Sequence, residues 1–276
     1  MSKTALSVIM PVYYKDNAEH FHQALASIFN QSQIAQEVIV IKDGELTPAL
    51  EEVLAHWQKI NATLKTVALP VNKGLSAALN EGIKAAQNTW IARMDADDIC
   101  SLDRFEKQVN YLNKHPEISI IGSWIDEFDE SITKPIATRK LPESHAQILR
   151  YARWRCPFNH MTVMYKKDVV QKLGAYKNFG AVGDDYELWA RFLTKGYKAA
   201  NIQESLVYAR ANADFFNNRR RGLKYFKNEV KEINELYRLG LLNPMHYIFH
   251  FCIKAIVRFS PPGLVRFFYH YIRKFS

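Results

Sequence analysis

Trp90-Ile91-Ala92-Arg93-Met94-Asp95-Ala96-Asp97-Asp98 is an apolar run that ends in three carboxylates within four residues. The run over Thr89–Met94 reads as a buried strand, and the acidic stretch after it as a loop. Like charges packed this closely repel one another, so the cluster is costly unless a cation sits among them. A hard divalent ion, Mn2+ or Mg2+, suits oxygen ligands. The plain alternative is a solvated turn leading into a helix at Leu102, with Asp98 or Ser101 near its cap.

Upstream, the same type of strand recurs. Ser7–Pro11 and the β-branched Val38–Ile41 read as strands, with Leu64–Ala68 a weaker third. Helical periodicity falls between them at 19–30, 47–60 and 74–87. Strand–helix alternation at this spacing predicts an α/β fold with a Rossmann-like, mostly parallel central sheet flanked by helices. Ligands of such sheets bind beyond the carboxyl ends of the strands. Pro11–Tyr14, Lys42–Gly44 and Asp95–Asp98 then share one edge, a candidate nucleotide pocket. Downstream the pattern loosens: a helix over Leu102–Lys114, a strand over Ile118–Gly122, loop over 131–145, a strand over Met161–Tyr165. A helix over Asp184–Lys195 follows, with Tyr186, Leu188, Trp189, Phe192 and Leu193 as its apolar stripe.

Charge divides the chain more sharply than composition does. Of the net +9, none arises before residue 215, where 25 Lys/Arg meet 25 Asp/Glu; the remainder has 12 Lys/Arg against Glu229, Glu232 and Glu235. We therefore expect a neutral domain over 1–214, with the candidate nucleotide pocket in its half over about 1–100 and the looser pattern in its half over about 101–214. A basic, aromatic-rich helical tail occupies 215–276. A nucleic-acid binder would spread its positive charge over the fold, so nucleic acid is not an expected partner. Over 241–276 aromatics alternate with Lys, Arg and His, fitting one or two amphipathic helices broken at Pro261-Pro262. Such helices lie on anionic membranes, with each basic residue near the surface contributing about 1 kcal/mol. The alternative is a helical pair packed on the domain with its charges solvated. The first ten residues hold no long apolar run or cleavage site, and no window of roughly eighteen residues is apolar enough to span a bilayer. Cys100, Cys156 and Cys252 are far apart and in no metal-ligand spacing. The expectation is a cytoplasmic protein, peripheral on the inner face of the membrane.

Five segments in order carry a resemblance. They are Ser7-Val8-Ile9-Met10-Pro11-Val12-Tyr13; Glu37-Val38-Ile39-Val40-Ile41-Lys42-Asp43-Gly44; Asn72-Lys73-Gly74-Leu75-Ser76-Ala77-Ala78-Leu79-Asn80-Glu81-Gly82; Ala92-Arg93-Met94-Asp95-Ala96-Asp97-Asp98; and Gly183-Asp184-Asp185-Tyr186-Glu187-Leu188-Trp189. Together they resemble family 2 glycosyltransferases of the GT-A fold, with Asp95-Ala96-Asp97 as the DxD motif. The resemblance implies an inverting, metal-dependent transfer of a hexose, galactose or glucose favoured, from a UDP-sugar to a glycan or lipid-linked saccharide. Relatives with this motif set commonly build O-antigen, capsule or lipopolysaccharide chains.

The resemblance also implies residue roles. Pro11 and Tyr13 pack around the nucleotide base, and Asp43 hydrogen-bonds the uracil. Lys73 and Gly74 lie by the diphosphate at a helix start, where backbone amides and the helix dipole suit an anion. Asp97 is the direct metal ligand, and Asp95 contacts the ribose or the metal's water shell. Asp185 is the catalytic base. Asp98, His160, Asp184 and Trp189 are secondary or acceptor-side candidates. The chain departs from the family in two places: Lys42-Asp43-Gly44-Glu45 replaces the usual Asp-Asp-Gly-Ser, and Asn212 stands where many relatives carry a His after an Arg. Two other readings stay open. A sugar-nucleotide nucleotidyltransferase shares the sheet and the metal carboxylates, but its Gly-rich signature is missing from Pro11-Val12-Tyr13-Tyr14-Lys15. A non-catalytic membrane-surface binding protein would not need both Asp97 and Asp185.

Overall fold

The computed structural model describes residues 4–179, 184–211 and 222–259. Three strand–helix units come first: β1 (Leu6–Val12), α1 (Ala18–Phe29), β2 (Glu37–Asp43), α2 (Pro48–Ile60), β3 (Leu64–Leu69) and α3 (Leu75–Ala85), followed by β4 (Trp90–Arg93). Each helix starts for a local reason. The Asn17 side chain accepts from the His20 amide ahead of α1, and Thr47 caps α2, which carries Pro48 in its first turn. Phe21, Ala24, Leu25 and Ile28 recur at three- and four-residue spacing and form the buried face of α1. α3 is built to lie close to the sheet: a Cβ on Gly82 would come within 2.8 Å of the Ile41 side chain.

These four strands are parallel, in the order β3-β2-β1-β4, as the alternation requires. The sheet continues through β8 (Met164–Lys166), β6 (Ile118–Phe128), β9 (Lys198–Arg210) and β5 (Ile99–Cys100), while β7 (Ala137–Arg139) pairs with β6. β8 is antiparallel to both neighbours, so β6 and β9 again run in the direction of β1. Six of the nine strands thus share one direction. Around the sheet lie α4 (Arg104–Lys114), α5 (His145–Tyr151), α6 (Lys167–Lys172) and α7 (Asp184–Thr194). Two buried clusters form the core, one containing α1 and α2 with Val8, Met10 and Val40, the other containing α3 and α7 with Ile9, Ile39 and Ile41. Successive residues of β1 and β2 serve opposite faces of the sheet, as strand geometry demands.

Some boundaries differ from the sequence pattern. The loop expected over 131–145 contains β7, because β6 runs on to Phe128 and offers a pairing edge. The strand expected over Met161–Tyr165 opens as a 3-10 turn at His160–Thr162, where the Thr162 hydroxyl bonds back to the Asn159 carbonyl at 2.8 Å.

The tail contributes α8 (Leu223–Arg238) and α9 (Pro244–Phe259). Ile233 and Leu236 of α8 enter the same core cluster as Leu188, Trp189 and Phe192 of α7. Lys254 and Arg258 of α9, expected to face solvent or membrane, instead grip the buried Glu229 of α8 at 2.9 Å and 2.6 Å. Met245, Ile248, Cys252, Ile256 and Phe259, spaced by three and four, lie exposed along one side of α9. Among the described residues no helix is long and apolar enough to cross a membrane. Gly183, Asn212 and the stretch 260–276, including Pro261-Pro262, lie outside the described residues.

Candidate active site

The carboxyl ends of β1, β2 and β4 meet at one edge, and each delivers a loop. After β2, Asp43 is buried, and its two oxygens accept from the Lys73 amide at 2.7 Å and the Gly74 amide at 2.9 Å. The carboxylate thereby ties the strand end to the start of α3. Two glycines make this junction possible. Gly44 has φ +87°, and a Cβ there would lie 2.7 Å from the Asn72 backbone nitrogen. Gly74 has φ +88° and leads into α3 without any side-chain cap. The Lys73 side chain is exposed. After β1, Pro11 is buried in register with Ile41, and Tyr13 is half-buried with its amide bonded to Asp16 at 2.9 Å.

After β4, ligand oxygens from Asp95, Asp97 and Asp98 all lie within 4.8 Å of one another. The three carboxylates do different work. Asp95 is met by both terminal nitrogens of Arg93, a guanidinium only 2 % exposed, with one contact at 2.6 Å. Asp98 is buried, and its Oδ1 accepts the Arg210 amide at 2.9 Å. Burial, then the neighbouring Asp95 and Asp97, push the Asp98 carboxyl well above the usual range. Asp97 is raised too, by burial and then by Asp95. It is the member of the cluster whose carboxylate is neither fully buried nor clasped by Arg93. The donor set suits a hard cation: oxygen ligands with surplus negative charge that a divalent ion would relieve.

A fourth carboxylate, Asp16 in the loop after β1, is electrostatically coupled to the cluster. Asp16 is raised to about 7, mainly by burial, with Asp97 and Asp95 adding to the shift. A cation held by the cluster would favour the ionised form of Asp16, so divalent-ion affinity is expected to rise from about pH 6 to pH 8 and level off above, with proton release on binding below. Without metal, the sign for stability is opposite. The folded form holds the Asp16 proton up to about pH 7, whereas the unfolded chain loses it near 3.8, so this group's stabilising contribution declines across that window. Mn2+ titrations at several pH values, with thermal melts alongside, measure both slopes.

The second half of the site comes from α7 and the loops before it. Asp185 lies beside Cys156, with Oδ2 to Sγ at 3.8 Å. The other described carboxylate of α7 is Glu187, wholly buried and held by Arg191 at 2.6 Å and Lys177 at 3.0 Å. It is therefore structural. The Asp184 backbone opens α7. His160 shares a 2.9 Å hydrogen bond with the Tyr176 hydroxyl, and burial followed by the nearby Arg93 charge holds the imidazole well below its usual pKa. It is a neutral group. Burial and then the neighbouring Tyr165 push the Tyr176 phenol well above its usual range, with Arg93 lowering it and Asp185 raising it by smaller amounts.

One candidate must be corrected. Trp189 is 0 % exposed and packed among Phe158, His160, Tyr165, Tyr176 and Phe192, so it supports His160 from behind and cannot touch an acceptor. Residues that the sequence did not single out are Asp16, Arg93, Gln23 and Tyr176. Arg93 closes β4 two positions before Asp95, and its place beside the acidic loop was the signal that could have found it. Arg210, at the end of β9, binds the Asp97 carbonyl at 3.1 Å and Gln23 of α1 at 2.7 Å. No local signal announces those contacts, which span more than a hundred residues.

Comparison with known proteins gives a consistent result. The family model described as Glycosyl transferase family 2 matches residues 7–174. The amylovoran biosynthesis glycosyltransferase AmsE of Erwinia amylovora is 37 % identical over 97 % of this chain and 99 % of its own length. The UDP-Gal:alpha-D-GlcNAc-diphosphoundecaprenol beta-1,3-galactosyltransferase of Escherichia coli is 33 % identical over 98 % of this chain and 97 % of its own. Among solved structures, the mannosyltransferase PcManGT from Pyrobaculum calidifontis, in complex with GDP-Man and Mn2+, superposes with a TM-score of 0.64. It covers 95 % of this chain and 72 % of that one at 17 % identity, a likeness of fold.

Proposed function

The chain belongs to glycosyl transferase family 2 and has the GT-A fold, and from that premise we propose that it is an inverting, metal-assisted hexosyltransferase of bacterial surface polysaccharide synthesis. Its donor is a UDP-sugar, galactose or glucose favoured, and its acceptor a glycan or lipid-linked saccharide. The observation that carries this reading is the meeting of the Asp43 clamp and the Asp95–Asp97–Asp98 cluster at the carboxyl edge of one parallel sheet. In this reading Asp43 accepts from the uracil, with Pro11 and Tyr13 against the base. The Lys73 and Gly74 region faces the diphosphate, and Asp95, oriented by Arg93, faces the ribose. Asp97 would hold a divalent ion, Mn2+ or Mg2+, whose charge stabilises the leaving diphosphate. Asp185 takes the proton of the acceptor hydroxyl while that oxygen attacks the anomeric carbon from the side opposite UDP. His160, being neutral, positions rather than neutralises.

The test is UDP release by purified protein across a panel of UDP-sugars, with Mn2+ or chelator, offered a GlcNAc-diphospho-lipid acceptor. Metal-dependent turnover with one donor supports the reading and names the sugar. Failure of UDP to bind in the presence of metal would sink it.

A lipid-linked acceptor calls for a protein that works at the membrane, and the exposed apolar side of α9 supports peripheral contact on the cytoplasmic face through 241–276. With Lys254 and Arg258 occupied by Glu229, α9 contributes apolar insertion. The cationic attraction falls to Arg266, Arg273 and Lys274. Ile248→Asp combined with Ile256→Asp is expected to lower binding to anionic phosphatidylglycerol vesicles at least tenfold in flotation, with the thermal midpoint unchanged. Undiminished flotation would remove α9 from the membrane contact.

A further inference from the structure

Asp185 and Cys156 form one wall of a cavity of about 350 Å3, and the opposite wall is the α8–α9 pair. That volume sits at the small end of ligand sites, about 300–1,000 Å3, and suits a single sugar ring better than a long glycan. Its chemistry is specific. Asp185, Glu229 and Glu232 line it together with Arg155, Lys254 and Arg258, so the acids and bases balance. A free diphosphate would ask for surplus positive charge, which this lining does not offer.

Apolar surface alternates with these polar groups. The Trp154 indole is partly exposed and pinned edge-on by two rings of α9, His246 at 4.4 Å and Phe249 at 5.1 Å. Ile253 adjoins it. His250 is fixed through Nε2, which must be the donor because its partner is the Arg153 carbonyl at 3.0 Å. A flat indole beside carboxylates and oriented donors matches a neutral saccharide, which presents an apolar ring face and a rim of hydroxyls.

We infer that this cavity binds the terminal sugar of the acceptor, with Trp154 as its stacking platform and α9 as its outer wall. The inference rests on the reading of Asp185 as base, since a base must come within hydrogen-bond reach of the hydroxyl it deprotonates. It gives the tail a role in catalysis. α9 closes the acceptor site with one side and turns its apolar side outward, so a lipid-borne sugar enters beside the helix that meets the lipid.

The experiment uses the full chain and three probes: α-linked GlcNAc-, Glc- and Gal-diphosphate esters of a phenoxyundecyl chain. Trp154→Ala removes the platform, and Ile253→Trp fills the cavity. Both are expected to raise the KM for the productive probe tenfold or more. UDP affinity by calorimetry and the KM for the UDP-sugar stay within twofold. A merely structural role would move UDP affinity, kcat and the thermal midpoint together. The inference is overturned if both variants fold and keep the wild-type acceptor KM. It is equally overturned if the wild type binds UDP but gives no saturation-transfer signal with any probe. Loss of UDP binding by the wild type would instead fell the transferase reading itself.

Discussion

Asp185→Asn is expected to reduce kcat for sugar transfer by about 10²–10⁴-fold, the usual range for a positioned general base. UDP affinity should be unchanged. The amide has the shape of the carboxylate and can keep its neighbour Cys156, so the loss isolates proton acceptance from packing. The fall corresponds to roughly 3–5 kcal/mol of transition-state stabilisation. Glu187 cannot stand in, because Arg191 and Lys177 already occupy it in the core. Steady-state UDP release with saturating donor and acceptor measures the effect, and calorimetry with UDP supplies the control. Activity above about a tenth of wild type would mean that another group takes the proton.

Asp97→Ala should act through the donor side, removing metal-dependent UDP binding and lowering kcat/KM by roughly 10²–10⁴-fold. A metal ion supplies several kcal/mol of charge stabilisation in such sites. Its neighbours predict a contrast that tests the assignment. Asp95→Ala would strand the buried Arg93 cation, a loss of about 3–5 kcal/mol of stability when one partner of a buried pair is removed. Asp97 has no such clasp, and its carboxylate carries repulsion that folding must tolerate. Asp97→Ala should therefore leave the metal-free thermal midpoint unchanged or raised, while Asp95→Ala lowers it. Thermal melts with and without Mn2+ separate the two. If Asp97→Ala retains Mn2+-enhanced UDP binding, the ligand role moves elsewhere in the cluster.

The first four strands and three helices were legible because short, largely apolar strand segments alternate with helical segments whose apolar positions fall three and four apart. The acidic loop was legible because its cost is local. Of the later elements, α4, the start of β6 and α7 were legible too, while β9, α5 and α6 were not. β9 reads Lys-Ala-Ala-Asn-Ile-Gln-Glu-Ser-Leu-Val-Tyr-Ala-Arg, with polar residues in its middle, and becomes a thirteen-residue strand by pairing along β6 across three register shifts. α5 and α6 are seven and six residues long, too short for a helical period to show. The site follows the same rule. Asp43 could be picked out from its turn, but its partners Lys73 and Gly74 lie thirty residues away. Trp189 looked like a surface candidate because a helical stripe does not say how deep it goes. Lys254 and Arg258 looked solvated because Glu229 lies in another helix.

The junction around Asp43 has a consequence for affinity. Its carboxylate is oriented by two backbone amides, and Gly44 allows the two loops to touch with no room for a side chain between them. The rotational entropy of that carboxylate was surrendered when the sheet assembled, long before any ligand arrives. In the proposed role, a uracil would meet an acceptor already aimed, and its association would be spared the ordering penalty of roughly 0.5–1.5 kcal/mol that an immobilised side chain otherwise exacts. With Lys42 and Glu45 on either side of Asp43-Gly44, base recognition under the proposed function would rest on this one rigid carboxylate.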